Sequence, residues 1–91
     1  MKVADLLREG KENAVPLAAL VNALGIDGRT VRLMIRRERL SGTPILSDTT
    51  AGYFLPSSEE EKMQFVASMQ HRAGEIQEVA DAVEVIDWKT P

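Results

Sequence analysis

The chain has 91 residues, 44% of them hydrophobic and 27% charged, with a formal net charge of −3. That is the length of one small domain with one core, too apolar for a disordered chain and too charged for a membrane-embedded one. The absence of cysteine excludes disulfides, thiolate metal sites and a cysteine nucleophile, and the lone His71 leaves no imidazole pair for a metal. No apolar run approaches the ~20 residues that span a bilayer. The opening MKVADLLREG also lacks the basic-then-apolar pattern of a signal peptide, so a cytoplasmic chain is expected. A binding or regulatory module is expected rather than an enzyme, with no cofactor and no metal.

Val3, Leu6 and Leu7 fall at helical spacing and predict a short first helix through about Glu9, closed by Gly10. After the polar Lys11-Glu12-Asn13, Pro16 suits a first helical turn, and Leu17, Leu20, Val21 and Leu24 form one apolar stripe, predicting a helix over about 16–24. Gly25 supplies the left-handed exit that helix ends favour, Ile26 is an apolar plug, and Asp27 is a good N-cap for a further helix beginning at Gly28. Two helices separated by so tight a turn, with an apolar residue inside it, are the helix-turn-helix arrangement. Its second helix enters the DNA major groove.

On that second helix Val31, Met34 and Ile35 share a face, while Arg29, Leu33, Arg36, Arg37 and Leu40, flanked by Arg32, lie opposite. Glu38 falls near the apolar face. The charge follows the same division. Residues 1–56 carry eight basic against six acidic residues, and residues 57–91 carry three against eight, so a net of +2 is followed by a net of −5. Five arginines lie between positions 29 and 39, and arginine is the residue that reads guanine edges and grips phosphates with two prongs. A local basic patch on an acidic chain results.

Ser41-Gly42 ends the helix and Thr43-Pro44 starts an extended segment. Ile45-Leu46 and Tyr53-Phe54-Leu55 are β-prone runs around the small, polar Ser47–Gly52, which predicts a hairpin that must pack on the helices to persist. The stretch LAALVNALGIDGRTVRLMIRRERLSGTPILSDTTAGYFLP then resembles the winged helix-turn-helix domain of the biotin-operon-repressor type, common in bacterial and phage regulators. The resemblance covers roughly residues 3–56 and rests on the LGI turn, Asp27 and Thr30-Val31-Arg32. It rests also on Gly42, Pro44-Ile45 and the hairpin Ser47…Gly52-Tyr53-Phe54-Leu55. It implies a recognition helix that places Arg29, Thr30, Arg32, Leu33, Arg36 and Arg37 at bases and phosphates. It also implies a wing whose tip, Ser47, Asp48, Thr49 and Thr50, lies over the DNA backbone. Glu38 and the negative Asp48 depart from the family pattern, and no ligase domain or catalytic activity is expected alongside.

Ser58 followed by Glu61 is a capping box, and Glu59-Glu60-Glu61 suits the positive end of a helix dipole. From there Val66, Met69, Ala73, Ile76, Ala80 and Val83 step by three and four residues, with Phe65, Val79 and Ile86 widening the stripe. A helix over 57–86 would be on the order of 45 Å long, more than a fifty-residue domain covers. Phe65, Val66, Met69, Ala73, Ile76, Ala80 and Val83 are therefore expected to form a homodimer interface, parallel or antiparallel, with Gly74 a candidate bend. One helix folded back on its own domain is the alternative. His71 reads as a solvated helix residue and residues 87–91 as a flexible tail, whose Trp88 either docks on the domain or a partner or hangs loose.

These readings predict a mainly α chain: a winged helix-turn-helix over 1–56 and an acidic dimerisation helix after it. The expected function is double-stranded DNA binding by a bacterial or phage protein, as transcriptional regulator or replication accessory. The competing expectation is a protein-protein adaptor, an anti-repressor or phage assembly subunit, working through the acidic helix.

Overall fold

A computed structural model describes residues 1–86; Trp88 and the expected tail lie outside the described residues. The chain is mainly helical, with helices α1 (Leu17–Leu24), α2 (Gly28–Leu40) and α3 (Glu59–Glu84) and a two-stranded antiparallel sheet, β1 (Leu46–Asp48) with β2 (Gly52–Phe54). The local signals explain most boundaries. Gly25 takes the left-handed conformation (φ 66°) and donates its N–H to the Val21 carbonyl, ending α1. Two residues later the Asp27 carboxylate accepts the Thr30 N–H at 2.9 Å and starts α2.

The first segment differs from the expectation. In place of one α-helix through Glu9, two short 3-10 turns cover Val3–Leu6 and Lys11–Asn13, with extended chain between and after them. Glu38 caps the first of these turns. Its two carboxylate oxygens accept the backbone N–H groups of Val3 (2.8 Å) and Ala4 (3.0 Å), so a residue on α2 caps a turn 35 positions away. Glu38, which falls near the apolar face of α2, thus has polar partners of its own in this chain.

Between the two turns the chain becomes a border for the hairpin. Arg8 O accepts the Leu55 N–H, Gly10 N–H donates to Leu55 O, and Val15 exchanges both backbone hydrogen bonds with Tyr53. So β2 is paired along both edges, which a lone hairpin lacks. The approach is close enough that a Cβ on Gly52 (φ 113°) would lie 2.4 Å from the Val15 carbonyl oxygen, so only glycine fits there. The strands meet in the register Leu46–Phe54, Ser47–Tyr53 and Asp48–Gly52, leaving Thr49, Thr50 and Ala51 as the turn.

Val3, Leu7, Leu20, Val31, Ile35 and Ile45 form the central apolar cluster, and Leu46 and Phe54 are buried beside it. Every buried hydrophobic residue among the described ones lies between Val3 and Phe54. Helix α3 contributes none. It runs unbroken through Gly74 for 26 residues, about 39 Å, with its start held against β1. Among the described residues no helix is long and apolar enough to cross a membrane.

Candidate nucleic-acid interface

Helix α2 turns Val31 and Ile35 into the core, and the period of 3.6 then fixes what faces out. Arg29, Thr30, Arg32, Leu33, Arg36 and Arg37 are all exposed, as the arginine spacing predicts. Among the described residues none of the guanidinium groups of Arg29, Arg32, Arg36 and Arg37 takes part in an ion pair. Four cations on one helical face, free of internal carboxylates, are available to an anionic partner. Leu33 and Leu40 add exposed apolar surface to that face, of the kind that packs on a thymine methyl group.

Arg39 belongs to the same run of arginines but has a different task. Its Nε donates to the Ile45 carbonyl at 2.7 Å, Nη2 lies 3.3 Å from Ser47 Oγ, and the guanidinium stacks 5.2 Å from the centroid of the Phe65 ring. Burial lowers its pKa from the usual arginine value, although an arginine keeps its charge throughout. Arg39 thereby ties α2, β1 and α3 together, and the strand and helix it holds define the space beside the exposed arginines.

The hairpin turn is internally organised. Asp48 Oδ1 accepts the N–H and hydroxyl of Thr50 (2.9 and 2.7 Å) and the N–H of Ala51 (3.0 Å), and Oδ2 pairs with Lys11 Nζ at 3.1 Å. Donation from the Thr50 hydroxyl above all, then from Ala51 and Lys11, holds the Asp48 carboxyl far below the usual carboxylate range. Its charge is consumed in shaping the turn. Thr49 and Thr50 stay exposed at the tip, whereas Ser47 lies within β1, half-buried against Arg39, rather than at the tip.

The start of α3 is anchored three ways. Ser58 Oγ accepts the Glu61 N–H at 3.0 Å, and the Glu61 carboxylate accepts the N–H of Ser57 (2.9 Å) and of Lys11 (3.4 Å). The reciprocal half of the expected box thus goes to Ser57, not Ser58. Donation from the Ser57 N–H lowers the Glu61 pKa. Phe65 and Val66, expected between subunits, are half-buried, and Phe65 lies against the domain's own Arg39; Met69, Ala73, Ile76, Ala80 and Val83 stay exposed.

Sequence reasoning missed Arg72. It lines, with Ser68, a cleft of about 490 Å³ whose other sides are Arg32, the start of α1 and the hairpin turn. The one available signal was its place seven residues, two helical turns, after Phe65. Compared with protein-family models, curated proteins and solved structures, the chain matches none.

Proposed function

We propose that residues 1–56 form a winged helix-turn-helix that binds double-stranded DNA, with α2 as the recognition helix and the β1–β2 hairpin as the wing. The observation that carries this reading is the exposed face of α2, where Arg29, Arg32, Arg36 and Arg37 stand without internal partners beside an ordered hairpin. Side chains on such a face reach base edges in the major groove, while Thr49 and Thr50 at the wing tip reach the adjacent backbone. By resemblance to bacterial and phage regulators, the chain acts by occupying a site, in transcription or as a replication accessory.

The outer half of α3 supports a second element of the proposal, pairing with another copy of the chain. Ile76, Val79, Val83 and Ile86 are 60–65% exposed on one face, and they continue the 3-4 spacing of a helix-pairing seam. Two linked domains bind two half-sites at once.

The test is light-scattering mass together with fluorescence anisotropy on duplex DNA at about 50 and 200 mM salt, a range over which a phosphate-driven affinity falls by orders of magnitude. At a specific site Arg36→Ala costs about 1–3 kcal/mol if it reads a base. A protein that ignores DNA at the lower salt overturns the DNA reading. The exposed apolar and acidic face of α3 then favours a protein-protein adaptor.

A further inference from the structure

Arg32 and Arg39 are one heptad apart on α2, and Phe65 and Arg72 are one heptad apart on α3, so each pair lies on one face of its helix. Arg39 and Phe65 close on each other. Two turns further along each helix, Arg32 and Arg72 line a single open cleft of about 490 Å³ instead. The rest of the lining combines the hydroxyl-bearing Ser47, Thr49, Thr50 and Ser68 with the wing turn and the apolar Pro16 and Leu17 at the start of α1. Its one carboxylate, Asp48, has both oxygens engaged by Lys11, Thr50 and Ala51. Among the described residues neither Arg32 nor Arg72 is in an ion pair. Two like charges therefore converge on a hydroxyl-lined space with no internal counterion, an arrangement that an anion stabilises.

The geometry points to this cleft as a seat for the DNA sugar-phosphate backbone, with Arg72 of α3 a binding residue outside the winged domain. The inference rests on the DNA reading above, because Arg32 belongs both to the exposed face of α2 and to the cleft wall. A strand leaving the groove read by α2 on the wing side passes over the cleft, where Arg32, Arg72 and the Thr49 hydroxyl meet phosphate oxygens, the Thr50 hydroxyl being held by Asp48. Such contacts hold the duplex in register and carry no sequence information. Helix α3 then does two things at once. Its first half completes the DNA surface, and its second half projects away from it.

The experiment is the salt dependence of duplex binding by the full chain and by Arg72→Gln, Arg72→Lys and Lys62→Gln, with helical content checked by circular dichroism. Lys62 is on the same helix, paired with Glu59 and outside the cleft, so K62Q controls for loss of one charge. The expected result is that R72Q weakens binding equally for all duplex sequences and flattens the slope of log K against log salt by about 0.9. R72K retains most of the slope, and K62Q retains all of it. If wild type binds DNA with steep salt dependence and R72Q matches it, the assignment of the cleft falls while the DNA reading stands. If wild type shows no salt-sensitive binding, both fall. Inorganic phosphate that raises the melting temperature of wild type but not of R72Q, with duplex affinity unaltered by the substitution, would place a small anion in the cleft and overturn the backbone assignment.

Discussion

Residues 3–55 and helix α3 are held in place by different means. The first segment buries an apolar cluster drawn from its N-terminal turn, both short helices and the extended chain entering the hairpin, and it adds long-range polar ties such as Glu38 to Val3 and Ala4. The second has its capped start and Phe65 fixed to that body, and beyond about Arg72 its side-chain pairs among the described residues run along its own axis, His71 with Glu75 (3.0 Å) and Gln77 with Asp81 (2.8 Å). Such pairs contribute about 0.2–0.5 kcal/mol each, and isolated helical turns in water are marginal. The outer half of α3 includes the β-branched Ile76, Val79 and Val83, which lower its intrinsic helix propensity. The lesson is that residues 3–55 fold on themselves, while the outer half of α3 keeps its apolar stripe exposed among the described residues.

The largest expected effect breaks this comparison if it fails. Leu20 is fully buried at the centre of the cluster, so Leu20→Ala lowers unfolding free energy by about 2–5 kcal/mol, read from urea midpoints. Ile76→Ala, on the exposed stripe, leaves the unfolding midpoint at high dilution within about 0.5 kcal/mol of wild type. Equal losses for the two would mean that α3 shares the core. Next in size is Glu38→Ala, which strips the acceptors from two backbone N–H groups and costs about 1–3 kcal/mol, with faster amide exchange at Val3 and Ala4. Glu38→Gln keeps one acceptor oxygen and loses less.

How much of this was legible follows from the range of each signal. The turn between α1 and α2, the Asp27 cap, the hairpin and the Ser58 start are written within three or four residues each, and all were readable. The exposed arginines of α2 followed from the same short period. The roles of Glu38 and Arg39 and the place of Arg72 in the cleft are not legible locally, because each depends on segments that only folding brings near. In the sequence Glu38 falls near an apolar face, and nothing in their immediate neighbours sets Arg39 or Arg72 apart from an ordinary surface cation. The border that residues 8–15 form along β2 has no side-chain period, since its contacts are backbone hydrogen bonds.

The projecting half of α3 gives a prediction with little effect on the domain itself. If the chain pairs through this stripe as proposed, Ile76→Glu together with Val83→Glu, which puts carboxylates on it, abolishes pairing and halves the mass measured by light scattering. The near-ultraviolet dichroism of Tyr53 and the salt-sensitive part of DNA binding by a single domain remain. A double variant of unchanged mass would remove the stripe as the pairing surface.

The smallest expected effect concerns pH and separates the two regions at their junctions. Asp27 at the start of α2 has its pKa lowered, chiefly by hydrogen bonds from the side chain and N–H of Thr30, and Glu61 at the root of α3 is lowered by Ser57. A carboxyl with a depressed folded pKa stabilises fully above its unfolded pKa of about 4, and the contribution drains away as pH falls toward the folded value. Asp27→Asn keeps a side-chain acceptor but removes the titrating charge, so its melting temperature lies below wild type at pH 7 and approaches it as acid protonates the Asp27 of the folded wild type. Glu61→Gln behaves alike in sign, but its loss is confined to the root of α3. Amide exchange therefore quickens at Glu61 and Lys62 while Leu20 and Ile35 keep their protection. Acid that loosened the core amides of E61Q as fast as those at the helix root would show the two regions to unfold as one unit.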